Sequence, residues 1–169
     1  LVNSDKPDSQ DICFVPDGDY AGFICRFTGA DVPEGDFVDM DGKVLGRHKG
    51  IINYTVGQRK HLGISLGKPA YVVKKDIVTN TVTLGDETDL YTKTLIADDV
   101  NLISVPEIKE PMRVTAKTRY SQKDQPAVAV QLDDGRIMLE FDQPQRAVTS
   151  GQAAVLYDGD IVVGGGTIV

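Results

Sequence analysis

The chain has 169 residues, is 41% hydrophobic and carries a net charge of −7. That length suits one large domain or two small ones, and the apolar content is too high for a disordered chain. No apolar run approaches the roughly 18 residues of a membrane span, there is no basic-then-apolar leader, and two cysteines do not make a disulfide framework. The expectation is a protein of a reducing compartment, placed in the cytoplasm, with no membrane partner.

Charge is unevenly spread. Residues 1–41 carry ten acids and two bases, residues 42–75 eight bases and no acid, and residues 76–169 fifteen acids and eight bases. A purely basic segment inside an acidic protein is a candidate polyanion footprint. It can equally pair with the acidic start, and charge alone leaves both readings open.

In chain order, "DSQDICFVPDGDY" sets Cys13 among Asp8, Asp11, Asp17 and Asp19. Neighbouring carboxylates raise a thiol pKa, so Cys13 is either a core residue or a reactive group activated from elsewhere. Asp17-Gly18-Asp19 is an N-cap signal. The helix it predicts puts Tyr20, Phe23, Ile24 and Phe27 on one face, with Cys25 beside them as a small buried hydrophobe.

From Phe37 the pattern turns to strands. Asp41-Gly42 and Thr79-Asn80 mark hairpins. Between them, Thr55 and Gln58 have capping-box spacing, and Gly63 can close a short helix that presents Arg59, Lys60 and His61. The last third reads as short strands, with hairpins at Asp134-Gly135 and Asp158-Gly159, which suggests a small barrel or sandwich. In "MRVTAKTRY", Met112, Val114 and Ala116 face one way. Arg113, Thr115, Lys117 and Arg119 face the other, either as an ordinary solvated face or as a phosphate track. The boundary is placed near Lys93, giving residues 1–93 and 94–169. The predicted fold is mainly β (α+β), a small central β-rich domain with short helices followed by a C-terminal β-barrel.

No nucleotide-binding or metal-ligand motif is present. Gly164–Gly166 lies between strands with no helix after it, so it reads as a strand bend or close backbone contact. His48 and His61 could partner Cys13 as in a cysteine hydrolase, but both lie among bases, and solvated or phosphate-facing histidines fit that setting better.

Four stretches carry a resemblance: "DSQDICFVPDGDY", "GRHKGIINYTVGQRKHLGIS", "KTRYSQ" and "PQRAVTSGQAAVLYDGDIVVGGGTI". Together, in order and across the chain, they are similar to the tRNA-specific 2-thiouridylases, which replace the carbon-2 oxygen of the wobble uridine with sulfur. His61 departs from the glycine usual there. The resemblance implies a longer parent with an N-terminal PP-loop domain that binds ATP, adenylates the uridine and carries a first cysteine. This sequence has no such loop, so the chain alone is expected to be inactive. The resemblance also implies that Cys13 receives sulfur as a persulfide from a sulfur-donor protein and later joins the first cysteine in a disulfide. A C-terminal barrel like that of translation-factor domain 2 would hold tRNA through Arg119, Tyr120 and Gln152, with Arg59 and Lys60 adding to the basic footprint. The alternative is a tRNA-binding module with no activity of its own.

Overall fold

Alternating burial organises the strands: Val82 and Leu84 are buried while the residues between and beside them are half-buried, the signature of a sheet with one face on a core. The computed structural model describes residues 15, 19–29, 31–120 and 122–169; Cys13 lies outside them. Among the described residues, the single α-helix, α1, spans Tyr20–Thr28. Four strands then form one sheet: β1 (Gly35–Val38), β2 (Val44–His48), β3 (Tyr71–Asp76) and β4 (Thr81–Gly85). Their order is β2-β1-β4-β3, with β1 and β4 parallel and the other neighbours antiparallel. Phe37, Val72 and Val82 are fully buried at its core.

The remaining strands are β5 (Tyr91–Leu102), β6 (Met112–Lys117), β7 (Gln125–Gln131), β8 (Ile137–Arg146), β9 (Ala153–Asp158) and β10 (Ile161–Ile168). They close into a barrel in the order β10-β5-β8-β7-β6-β9. Its interior mixes sizes: Ala97, Ala116, Ala127 and Ala129 make room for Ile137, Leu139, Phe141 and Leu156. The fold is mainly β, as the strand pattern predicts, and the hairpins fall at the expected turns. Gly42, Gly135 and Gly159 have positive φ there, and so does Asn80. The Gly164–Gly166 run is a site of close backbone contact: a Cβ on Gly165 would lie 2.5 Å from the Ala154 carbonyl, and one on Gly164 2.5 Å from the Asn101 carbonyl. A 3-10 helix at Glu87–Leu90, capped reciprocally by Asp86 and Asp89, runs straight into β5. Strand β5 begins at Tyr91 and continues through Lys93.

Several expectations need correction. Residues 55–63 do not form a helix. The Gln58 side chain does accept from the Thr55 N–H, at 2.9 Å. However, Gly57, His61 and Gly63 all have positive φ, which a right-handed helix excludes. The 3-10 helix of this region lies earlier, at Ile51–Asn53. Helix α1 forms where expected, with the Asp19 carboxylate accepting from the Gly22 N–H at 2.9 Å. Its apolar stripe is not in a core, because none of its residues is buried, and Cys25 is half-buried.

His48 is neither solvated nor turned to a phosphate. It is 1% exposed, edge-on to Phe37 and Tyr54. Nδ1 accepts from the Gly50 N–H, and Nε2 lies 3.1 Å from the Asn80 carbonyl. Since Nδ1 accepts, the ring proton sits on Nε2 and donates to Asn80. Both nitrogens are thus engaged, so His48 has none left to serve as a base for a cysteine.

A candidate nucleic-acid interface at the barrel rim

Two barrel loops meet at one rim. Residues 118–124 connect β6 to β7, and residues 147–152 connect β8 to β9. The β6–β9 register pairs Thr115 with Tyr157 and Lys117 with Val155. Tyr120 lies just beyond the end of β6 and Gln152 just before the start of β9. The Tyr120 ring is 85% exposed. Gln152 is exposed too, while its main chain is held: its N–H donates to the Thr149 carbonyl, and its carbonyl accepts from the Ile168 N–H.

Arg119 is half-buried, and its Nη2 donates to the Ala147 carbonyl at 2.6 Å. Its Nε is buried without a partner. Ala147 is 2% exposed with φ +54, a left-handed conformation that alanine rarely adopts. Three contacts hold it there. Its N–H donates to the Leu90 carbonyl at 2.7 Å, its carbonyl accepts from Arg119, and the Thr149 hydroxyl donates to the same carbonyl. Beneath the loops, Thr118 donates to Gln122 and Gln122 donates to Gln145. Thr118 and Gln145 are both buried, so the rim stands on hydrogen-bonded side chains, with the Arg119 Nε left unsatisfied among them.

The loop after Thr55 adjoins this rim. The Gly57 N–H donates to the Val72 carbonyl, and the Val72 N–H donates to the Gln58 carbonyl, which hangs the loop on β3. A Cβ on Gly57 would lie 3.2 Å from the Ala147 Cβ. Arg59 and Lys60 follow, both exposed. The guanidinium carbons of Arg59 and Arg146 lie 6.0 and 5.9 Å from the Tyr71 ring centroid. Arg59, Arg146 and Arg119 are therefore linked through Tyr71, Gly57 and Ala147 into one cationic line across both sheets. Sequence reasoning missed Arg146, whose strand gave no basic cluster to mark it.

The footprint is narrower than charge counting suggests. Arg113 forms a two-pronged ion pair with Asp142 of β8, with Nη1 2.7 Å from Oδ1. Each partner favours the other's charged form: the Asp142 carboxyl is held below the usual range and Arg113 above it, chiefly by this hydrogen bonding. Lys117 lies over the Tyr157 ring and near Asp124. Asp124 is itself lowered first by a hydrogen bond with Thr115 and then by the charges of Lys117 and Lys123. Neighbouring strands and loops thus supply the acids that β6 lacks. In the basic segment, Arg47 pairs with Asp36 and Lys68 with Asp86. Lys75 donates to the Tyr54 carbonyl, and burial lowers its pKa. Of these pairs only Arg47–Asp36 joins the basic segment to the acidic start, while Arg59 and Lys60 face solvent.

Two cavities flank the loop from Arg59 to Ala70. One, of about 420 Å³, is lined by Arg59, His61, Ser65 and Lys68. The other, of about 340 Å³, is lined by Asp39, Asp41, Asp86 and Asp89 over Leu45 and Leu84. Lys68 lines both cavities and pairs with Asp86 between them.

The two sheets correspond to two known domain families. The tRNA methyl transferase PRC-barrel domain matches residues 21–86, and the aminomethyltransferase β-barrel domain matches residues 92–168. Fold and matches together define a PRC-barrel domain followed by an aminomethyltransferase-type β-barrel. Relatives extend over the whole chain. The tRNA-specific 2-thiouridylase MnmA of Acetivibrio thermocellus is 59% identical over 168 residues, 99% of this chain and 47% of the relative. The MnmA proteins of Clostridioides difficile and Lachnoclostridium phytofermentans are each 53% identical, over 96% and 100% of this chain and 45% and 47% of their own lengths. The chain belongs to the tRNA-specific 2-thiouridylase family, and it spans about half the length of these relatives.

Proposed function

We propose that this chain is the tRNA-holding, sulfur-carrying part of an ATP-dependent tRNA 2-thiouridylase, with Cys13 as the persulfide carrier. The observation that carries this reading is the 59% identity over 99% of the chain to a protein named for that reaction. The rim geometry supports the division of labour. Tyr120 offers an exposed ring for stacking, Gln152 an amide that can donate and accept, and Arg59 and Lys60 the charge, with Arg146 partly offset by Glu87 at 3.8 Å. Arg119 sets the rim's shape through Ala147.

ATP is assigned to the part of the family's polypeptide that this chain does not span. The glycine run here lies inside β10, pressed on neighbouring backbone. Among the described residues it makes no loop opening onto a helix N-terminus, which is what a phosphate cradle needs.

Loading is a sulfur exchange. The Cys13 thiolate attacks the outer sulfur of a donor persulfide; the donor's S–S bond breaks and its thiolate leaves, so Cys13 ends as a persulfide. Incubating the chain with a low-molecular-weight persulfide and mapping peptides by mass tests this. One added sulfur atom on the Cys13 peptide, and none on that of Cys25, is the expected result. Absence of sulfur on Cys13 would leave only the alternative of a tRNA-docking module. The physiological reaction would draw sulfur from a donor protein in the cytoplasm.

A further inference from the structure

The loop that leads into β3 is fixed in place, yet its main-chain donors turn away from the protein. Leu62 is buried, and Ile64 and Leu66 pack beside it on the core of the four-stranded sheet. The Gln58 amide clamps the start of the loop: Oε1 accepts from the Thr55 N–H, and Nε2 donates to the Lys60 carbonyl at 2.9 Å. Beyond that clamp, among the described residues, no main-chain N–H from Arg59 to Lys68 donates to a carbonyl of the protein.

An imidazole stands where the loop is strained. His61 has φ +60, a left-handed conformation that costs a residue with a side chain. It is exposed and lines the cavity of about 420 Å³ together with Arg59, Ser65 and Lys68. Among the described residues no carboxylate lines that cavity. Lys68 is already paired with Asp86 at 3.0 Å, so Arg59 and His61 are the basic groups left for a ligand. A Cβ on Gly63 or Gly67 would meet no atom within 4 Å, so the main chain can be approached closely. In a protein of net charge −7, an opening lined by basic side chains, a hydroxyl and outward N–H groups suits a compact oxyanion.

We propose that the Arg59–Lys68 loop is a phosphate-binding site beside the barrel rim, with the His61 ring as one of its ligand contacts. An RNA backbone and free pyrophosphate offer the same chemistry. Assigning the phosphate to RNA rests on the tRNA-holding reading above, whereas the site itself does not.

Backbone amide shifts of the chain, followed by NMR at constant ionic strength, test the site. Titration with pyrophosphate should shift the amides of residues 59–68 saturably and leave those of β10 in place. His61→Gly relieves the left-handed strain and removes the ring. It should weaken pyrophosphate binding by roughly two- to tenfold, the worth of one hydrogen bond, without lowering the melting temperature. His61→Asp tolerates the same φ and sets a negative charge at the contact, so it should abolish binding. Unchanged affinity in His61→Gly overturns the proposal. So do shifts that rise linearly or spread evenly over the surface, which mark ion screening only. A second titration with tRNA identifies the source. Shifts of the same amides that pyrophosphate reverses place an RNA phosphate there, and amides that respond to pyrophosphate alone make free phosphate the ligand. The Tyr120 and Gln152 amides report on the rim in the same spectra, so failure of the loop site and failure of the tRNA-holding reading are told apart.

Discussion

Arg119 and Ala147 hold each other in place: the guanidinium donates to the carbonyl of a residue in the left-handed region, 28 positions away in the chain. The bond gives an arginine at a proposed RNA surface a task inside the protein. Replacing Arg119 with Ala should lower stability by about 1.5–3 kcal/mol, the range for a hydrogen bond from a charged group. Urea unfolding measures that loss. Binding of tRNA should weaken in parallel through a loosened 147–152 loop. Arg119→Lys should not restore it, since one ammonium cannot reproduce the planar fork.

Arg59 and Lys60 should behave as plain electrostatic contacts. Replacing either with Ala should leave stability within about 0.5 kcal/mol and lower the salt slope of tRNA binding by roughly 0.7–1. Arg113→Ala should leave the slope unchanged, because Asp142 already neutralises that charge. Salt titrations of the three variants side by side decide whether the cationic line of the rim is the RNA platform.

The Arg113–Asp142 pair also predicts a pH dependence. The folded-state pKa of Asp142 is depressed, so its contribution is fully present above the unfolded carboxyl value of roughly 3.9. It is lost as pH falls through the lower folded value. Asp142→Asn should therefore flatten the acid limb of a stability–pH curve, lowering stability at neutral pH and changing little once pH falls below the folded value. Both side chains are largely exposed, so the effect should be small and salt-sensitive. Thermal melts across acidic buffers at two salt concentrations check it.

His48→Ala should strip the partner from the buried Gly50 N–H, whereas the Asn80 carbonyl keeps the Asp36 N–H. At about 1–3 kcal/mol for one unsatisfied group, the loss from hydrogen bonding should be roughly 1–3 kcal/mol. Alkylation of Cys13 should proceed at an unchanged rate in any variant that stays folded. A thiol rate that tracked His48 would revive the His48 form of the hydrolase reading, which the burial of that ring removes.

Gly165→Ala should be among the most damaging single-methyl changes in the barrel. Its Cβ would meet main-chain atoms of β9 rather than a side chain able to move. A loss of about 1–3 kcal/mol or more is expected, measured by denaturant unfolding. Gly63→Ala faces no neighbouring atom within 4 Å and would test positive φ alone.

Local patterns made the β architecture legible. Asp41-Gly42, Thr79-Asn80, Asp134-Gly135 and Asp158-Gly159 each encode their turn in adjacent residues, and the alternation in "MRVTAK" reports directly which side chains face the barrel core. The missed features depend on distant neighbours. Whether Thr55–Gln58 opens a helix is decided by β3 and Ala147, which pull Gly57 out of helical φ. Whether Arg113 is available to phosphate is decided by Asp142, 29 positions later. His48 looked basic and wet in a run of cations, and only the packing of Phe37 and Tyr54 around it shows otherwise. Arg146 lies in a stretch that carries the family resemblance, but no basic cluster marks it, and its proximity to the Tyr71 ring arises across the junction of the two sheets.

The order of strands gives the basic segment a second consequence, in self-association. A closed barrel exposes no strand edge, whereas the four-stranded sheet has two, β2 and β3. Unpaired edges invite pairing with another chain, and cations on them discourage it. Both edges come from the basic stretch: Arg47 lies on β2 between Lys43 and Lys49, and β3 carries Lys74 and Lys75. Val44, 57% exposed on β2, is the adhesive residue they guard. Charges that look like an advertisement for RNA thus also keep copies of the protein from zipping together, and neutralising them wholesale would trade nucleic-acid affinity for aggregation.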